Sequence, residues 1–242
     1  MIDPNHTAIA GKSVMVFSPE GDIHVCSDGI PDVYSLQAQY FHPTSNHQWH
    51  YAVFGDYIAS ELDERCQPSL LNGIAEINGD NFIVALSPLR RLGLTPIRVG
   101  SVFMHELGHN LGLRHGGNVD QNFKPNYLSV MNYSFIYGGI PYAASLGSTS
   151  IAGRRLDYSG AALPTLDESH LNEIVGVGAG STDITFFDTP NGFGLGAASG
   201  PIDWNLDGSI ENDITVNLDT SADCFPRSLS AVSEFLRADD RL

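Results

Sequence analysis

The amino-acid sequence predicts an α+β fold with a twisted mixed sheet in an N-terminal upper lobe, a central helix, and a loop-rich C-terminal lobe across a cleft. Short segments rich in β-branched and aromatic residues precede residue 90, which predicts the sheet. An apolar stripe with helical spacing then covers about residues 100–111. From residue 113 to about 225, Gly, Ser, Asn, Asp and Pro dominate, as is typical of loops. We therefore divide the chain into two lobes, residues 1–112 and 113–242.

The upper lobe is predicted to contain short strands and one further helix. Strands are expected over residues 13–17, 49–54, 73–77 and 81–86. A tight turn at Asn78 and Gly79 joins the last two strands and places them at a sheet edge. Pro31 and the apolar residues that follow it at helical spacing predict a helix that ends before Pro43. In the lower lobe, helices are expected at about residues 167–174 and 228–237.

The composition predicts a folded, water-soluble protein. Hydrophobic residues make up 42% and charged residues 17% of the 242 residues, a balance that argues against disorder. No apolar run approaches the roughly 20 residues of a membrane span, so no such span is expected. The formal net charge of -16 would repel phosphate backbones and anionic membranes, which argues against nucleic acid as a partner. A monomer is expected.

The compartment is indicated only by composition. Few lysines combined with many Asp, Asn, Gly and Ser residues are common in extracellular enzymes, so secretion is expected. Residues 1–6 show no basic segment followed by an apolar stretch, so a signal peptide is not visible; either it was removed or export uses another route. Cys26, Cys66 and Cys224 allow at most one disulfide within the chain, and their pairing stays open.

His105, Glu106 and His109 form the pattern HExxH on the central helix. Residues four positions apart on a helix lie about 40° apart in projection, so both imidazoles can reach one metal ion. The apolar stripe is expected to pack the helix against the core while the histidines face a cleft. This stripe consists of Phe103, Leu107 and Leu111.

A third histidine, His115, extends the pattern to HExxHxxGxxH. Gly112 can adopt a positive φ, which would end the helix and turn the chain so that His115 reaches the same ion. Three neutral imidazoles leave a fourth position open for water, as in catalytic rather than structural zinc sites. Glu106 would take a proton from that water and pass it to the leaving amine. The alternative, two histidines on a solvated helix face, is disfavoured by the five identities at set spacing.

The extended pattern, followed by Ser129, Met131 and Tyr133, resembles that of the metzincin zinc peptidases. The resemblance implies a metzincin-like fold in which Met131 forms an apolar floor under the imidazoles. It implies, as in astacin-like and serralysin-like members, that Tyr133 binds the metal at rest and stabilises the oxyanion during catalysis. A packed tyrosine bonded to backbone is the alternative. The strand at residues 73–77 would pair with extended substrate.

The expected function is therefore that of a secreted zinc-dependent endopeptidase acting on proteins or peptides bound in extended form. Two alternative functions are also compatible with parts of the sequence pattern. One is a zinc amidase or a peptidase of narrow specificity, restricted to a glycoprotein or a single host protein. The other is a calcium-stabilised binding module whose metal site has lost its catalytic role, against which the intact Glu106 argues.

A calcium ion is a second expected cofactor. Asp203, Asn205 and Asp207, followed by Gly208, reproduce the first half of a calcium-binding loop. Ile214 stands where such a loop requires a bidentate Glu, so an Asx-rich turn without metal stays open as the alternative. Residues 116–122 are a further candidate calcium site, although a plain Gly-rich connection is the favoured interpretation.

For three remaining features, a structural role without function is the favoured interpretation. His42, His47 and His50 match no metal-binding spacing, so a solvated loop that leads into a strand is favoured. In the metzincins, the segment after the conserved Met forms the wall of a substrate pocket. By that resemblance, residues 154–159 and 163–171 are candidates for this wall, with ordinary packing as the favoured alternative.

Overall fold

The computed structural model describes residues 14–15, 33–40, 49–55, 57–58 and 71–218. The predictions for Cys26, Cys66 and Cys224, for His42 and His47, and for a helix over residues 228–237 lie outside these residues. Within the described ranges, no helix has the length and apolar character that a bilayer crossing requires.

The described residues contain both helices and strands, and these strands form four small sheets. The helices are α1 (Val33–Tyr40), α2 (Leu86–Arg91) and α3 (Pro96–Asn110). The strands are β1 (Val14–Met15), β2 (Tyr51–Gly55), β3 (Tyr57–Ile58), β4 (Gly73–Ala75), β5 (Asn81–Ala85), β6 (Ile140–Ala143), β7 (Ile151–Arg155), β8 (Ile184–Thr189) and β9 (Gly192–Ala197).

The sheet that carries the site has the order β2-β5-β4, with β2 parallel and β4 antiparallel to β5. The central strand β5 is buried on both faces because its alternate side chains enter two clusters. Ile83 packs with Val33 of α1, whereas Phe82 packs with Val102 of α3. In the described part of the chain, β4 pairs only with β5 and is therefore an edge strand, as predicted. The same prediction is wrong for β5, which is central because β2 pairs along its other side.

The turn between β4 and β5 is held by a carboxylate. Glu76 Oε2 accepts hydrogen bonds from the backbone N–H groups of Asp80 and Asn81 at 3.0 and 3.1 Å. Asn78 takes a positive φ of 56°, as the predicted tight turn requires. Because the turn residues begin here, β4 ends at Ala75, two residues earlier than predicted.

Helix α3 begins at Pro96, four residues earlier than predicted, because Thr95 caps it: its hydroxyl accepts the N–H of Arg98 at 3.4 Å. The predicted burial of its apolar stripe is wrong in part. Leu111 is 56% exposed, and the helix instead buries a polar face. The physical reason is that this face is covered on two sides, by β4 and by the segment around Met131.

The lower lobe is built from two hairpins, β6-β7 and β8-β9, and long irregular segments around a core that includes Phe186 and Trp204. The buried carboxylate of Glu173 organises this lobe. It accepts backbone N–H groups of Trp204 at 2.6 Å and Glu211 at 2.9 Å. Glu173 is fully buried, so these bonds replace its hydration.

The helix predicted over residues 167–174 is absent. Asp167 and Asn172 instead close Asx turns by accepting the N–H groups two residues ahead, at 3.0 Å each. Leu171 pairs with Ile214 through two backbone hydrogen bonds. Local side-chain bonds and a non-local bridge therefore prevail over a modest helix propensity.

Candidate metal centre

Three histidines of the central helix and the turn after it lie together. One ring nitrogen from each of His105, His109 and His115 lies within 4.8 Å of the others. His105 and His109 are buried and lie one helical turn apart, which brings their Nε2 atoms to 3.1 Å. Among the described residues, this is the only group of three or more His, Cys, Asp or Glu that has such a geometry.

Backbone carbonyls fix the tautomers of the two helical histidines. His105 Nδ1 lies 2.9 Å from the Val130 carbonyl, and His109 Nδ1 lies 2.9 Å from the Leu113 carbonyl. Because a carbonyl oxygen only accepts, each Nδ1 carries the proton and each Nε2 presents a lone pair. This is the arrangement that metal-binding histidines adopt.

Burial keeps the imidazoles neutral. It holds the pKa of His105 well below 6.5, with a further lowering from the neighbouring His109. Burial also lowers the pKa of His109, and it lowers that of His115 to about 4. All three rings are therefore uncharged at neutral pH, as metal binding requires.

The donor set fits a cation bound by nitrogen ligands. With metal–nitrogen bonds of about 2.0–2.1 Å in a tetrahedral site, two ligand nitrogens lie roughly 3.3 Å apart. His105 and His109 Nε2 are separated by 3.1 Å, close to that value. Two lone pairs that face each other at this distance repel, and a cation between them would remove this repulsion, so the cluster could hold a metal ion.

His115 is placed by the end of the helix. Gly112 has a φ of +89°, and its N–H bonds to the His109 carbonyl at 2.8 Å, which closes the last turn. A Cβ at position 112 would collide with the Asn78 side chain, so the close approach of Asn78 also requires a glycine here. The chain then reverses through a short bridge between Arg114 and Gly117.

Glu106 lies under the edge strand. It is 4% exposed, and a Cβ at Gly73 of β4 would overlap its carboxyl group. Gly73 is therefore the residue that lets the carboxyl group lie against the strand. Burial raises the pKa of Glu106 well above its ordinary value.

Met131 and Tyr133 approach the cluster from the lower lobe. Met131 is fully buried, and its sulfur lies where a Cβ of Gly108 would be, directly against α3. The Tyr133 ring centroid lies 4.4 Å from that of His115 and 5.6 Å from that of His105. Burial and the nearby carboxyl group of Glu106 raise the pKa of Tyr133 to about 12.

The residues Asn72 and Tyr137 belong to the site but were not predicted. The Asn72 amide donates a hydrogen bond to the Tyr137 hydroxyl, and both line a small cavity with Glu106 and Tyr133. Burial raises the pKa of Tyr137, and the neighbouring Tyr133 adds to the shift. No periodicity or spacing relates positions 72 and 137, so this contact had no signal in the sequence.

Asn110 fastens the end of α3 to the sheet and was also not predicted. Its amide donates to the carbonyls of Glu76 at 2.8 Å and Asn81 at 3.0 Å. Its oxygen lies 3.1 Å from Nδ1 of His50, which is exposed and lies apart from the three-histidine cluster. The position directly after His109 therefore holds the helix in register with β4 and β5.

The Asp203 loop forms Asx turns. Asp203 accepts the N–H groups of Asp207 at 3.1 Å and Gly208 at 2.8 Å, and Asp207 accepts that of Ser209 at 2.8 Å. Asn205 Oδ1 also accepts the Asp207 N–H, at 3.0 Å. These bonds account for the loop's conformation without an ion, and calcium binding here stays a prediction.

Three further segments were considered as parts of a site, namely residues 116–122, 154–159 and 163–171. In residues 116–122, Asp120 pairs with Arg114 at 2.5 Å, and Gly116 donates to the Val119 carbonyl, as in a folded connection. In residues 154–159, Tyr158 donates to the Met104 carbonyl at 2.6 Å and packs against Gly108. Leu163, Leu166 and Glu168, from residues 163–171, line a second cavity instead of the one beside Glu106.

Comparisons with known proteins found no similarity to report. No protein-family model, curated protein sequence or solved structure matches this chain.

Proposed function

We propose that this chain is a secreted zinc-dependent endopeptidase of the metzincin type, which hydrolyses internal peptide bonds of proteins. The observation that carries the proposal is the convergence of three imidazole nitrogens within 4.8 Å, next in sequence to the buried carboxyl group of Glu106. A three-imidazole set suits Zn²⁺ and leaves one coordination position open. Secretion is supported by the acidic, lysine-poor composition.

The residues around the cluster have complementary roles. Zinc held by His105, His109 and His115 would supply Lewis-acid catalysis and lower the pKa of water at the open position. Glu106 acts as general base, and its raised pKa makes its carboxylate a stronger proton acceptor than that of an exposed glutamate. Tyr133, with a pKa of about 12, keeps its proton at neutral pH and donates it in a hydrogen bond to the developing oxyanion.

The position of the edge strand β4 supports the proposal that the substrate binds in extended form. Among the described residues, its outer side pairs with no other strand, so its backbone groups are available to a peptide. Gly73 of this strand contacts Glu106, so a peptide that pairs along β4 passes the general base. Main-chain pairing of this kind accepts many sequences and leaves selectivity to side-chain pockets.

The test is the substitution Glu106→Gln, which preserves the shape of the side chain and removes its basicity. The variant is expected to bind zinc with wild-type stoichiometry, measured by elemental analysis, and to lose at least about 10³-fold in kcat/KM on a peptide library. Tyr133→Phe is expected to lose about 10²-fold with zinc retained. Wild-type turnover by Glu106→Gln, or a wild-type protein that binds no transition metal, contradicts the proposal.

A second candidate keeps the chemistry but narrows the substrate to one protein, a glycoprotein or a non-peptide amide. The observation that favours it is the closure of the site: Glu106 is 4% exposed, and the Asn72–Tyr137 hydrogen bond lies beside it in a small cavity. Casein separates the two candidates. Broad digestion supports the general endopeptidase, whereas zinc-loaded protein that leaves casein intact supports narrow specificity.

A further inference from the structure

Asn122 contacts the third histidine of the cluster in an unusual way. Its amide nitrogen Nδ2 lies 3.3 Å from His115 Nδ1, so the amide donates and the ring nitrogen accepts. The other end of the same amide, Oδ1, is buried and has no hydrogen-bond partner among the described residues. A buried acceptor without a donor is energetically costly.

The orientation of this amide decides which nitrogen of His115 carries the proton. A histidine that accepts at Nδ1 carries its proton on Nε2, the nitrogen turned away from Asn122, and cannot bind a cation there. When Nε2 binds a metal, Nδ1 must carry the proton and needs an acceptor. A 180° turn of the amide supplies one, because it exchanges Nδ2 for Oδ1 without a change in shape.

We infer that Asn122 is the positioning residue of the third metal ligand and that its amide oxygen faces His115 Nδ1 when the ring binds metal. The inference rests on the metal centre of the proposed function and gives Asn122 a role that the spacing HExxHxxGxxH does not contain. In the metal-bound state, Oδ1 of Asn122 accepts from His115 Nδ1–H. Backbone carbonyls perform the same task for His105 and His109.

The backbone next to Asn122 is held in place by packing and hydrogen bonds. The next residue, Phe123, has a φ of 59°, an uncommon conformation for a bulky side chain that only a well-supported segment retains. The support is visible: Phe123 packs edge-on against Tyr133, with ring centroids 6.0 Å apart, and Asn132 donates to the Lys124 carbonyl at 2.8 Å. Asn122 therefore presents its amide to His115 from a fixed position.

Three variants test the inference through zinc affinity, measured by competition with a chromophoric chelator. Asn122→Leu keeps the branching at Cγ and removes the acceptor, so the dissociation constant for Zn²⁺ is expected to rise about 10- to 100-fold. Asn122→Asp restores an acceptor and is expected to bind Zn²⁺ within about threefold of wild type, or tighter. Asn118→Asp, an exposed change in the same segment, is the charge control and is expected to leave the affinity unchanged.

A spectroscopic measurement separates orientation from general damage to the fold. In the Co²⁺-loaded wild type, three exchangeable imidazole N–H protons are expected among the paramagnetically shifted signals, one for each ligand. In Asn122→Leu, one of them is expected to exchange with solvent at least tenfold faster. Unchanged zinc affinity in Asn122→Leu, or no rescue in Asn122→Asp, overturns the role of Asn122 alone. A wild type that binds neither Zn²⁺ nor Co²⁺ overturns the proposed function as well.

Discussion

Substitution of Gly73 by Ala places a single methyl group against the proposed general base. A Cβ at position 73 would lie 2.5 Å from Cδ and 2.6 Å from Cγ of Glu106, far inside van der Waals contact. To restore an ordinary separation of about 3.5 Å, the carboxyl group must move by roughly 1 Å. The three closest atoms all belong to Glu106, a side chain that can shift, so the backbone of β4 need not unfold.

The expected consequence is a loss of turnover without a loss of metal. Displacement of a catalytic group by about 1 Å lowers the rate by roughly 10²-fold, which corresponds to about 2.7 kcal/mol in the activation free energy. Zinc affinity is expected to stay within about threefold of wild type. The affected quantity is kcat, because β4 still offers its backbone to the substrate.

The assay compares kcat, KM and zinc affinity of Gly73→Ala with those of the wild type, on the peptide that the wild type cleaves best. Gly160→Ala is the matched control, since a Cβ at Gly160 meets nothing within 4 Å and its φ is not positive. Turnover of Gly73→Ala within threefold of wild type refutes the reasoning. So does an equal loss in Gly160→Ala, or a loss explained by a fall in melting temperature.

Three further predictions concern stability. Gly108→Ala would overlap Met131 Sδ and is expected to cost about 1–3 kcal/mol in urea unfolding; combined with Met131→Ala it should cost less than the sum, and additivity would contradict this contact. In Glu173→Gln, the amide N–H₂ would face a backbone N–H donor, so the free energy of unfolding is expected to fall by about 3 kcal/mol. A fall below about 1 kcal/mol would contradict the role of Glu173. In excess chelator, the folded-state pKa values of His105 and His115 lie below 6.5, so the unfolded chain binds more protons and the melting temperature is expected to fall as the pH drops from 6.5 toward 4. The raised pKa of Glu106 acts in the opposite sense, and a flat profile that His115→Gln does not alter would contradict the prediction.

The proximity of the three histidines was predictable because it depends on local geometry. Positions 105 and 109 share a helix face by periodicity alone, and a glycine at position 112 allows the positive φ that ends the helix. The two strands at residues 73–75 and 81–85 are a similar case, since short β-rich segments on either side of an Asn-Gly step predict a hairpin. Each of these inferences needed only residues close in sequence.

Features that depend on distant partners were not predictable. Leu111 fits an apolar stripe, but which face of α3 is buried depends on β4 and on Met131, both remote in sequence. Residues 167–174 have moderate helix propensity, yet Leu171 pairs with Ile214 instead. The contact between Asn72 and Tyr137 joins residues 65 positions apart, and single-residue patterns carry no information on such pairs.

The hydrogen bond from His105 Nδ1 to the Val130 carbonyl joins positions 25 residues apart, and it would make retention of a bound metal ion depend on a remote segment. All three ligands lie within residues 105–115, so they stay near one another if that segment detaches. The His105 imidazole would then lose the acceptor that orients it, and its affinity for the ion would fall. If the proposed zinc site is correct, the dissociation rate of zinc into excess chelator would therefore report local opening around Val130.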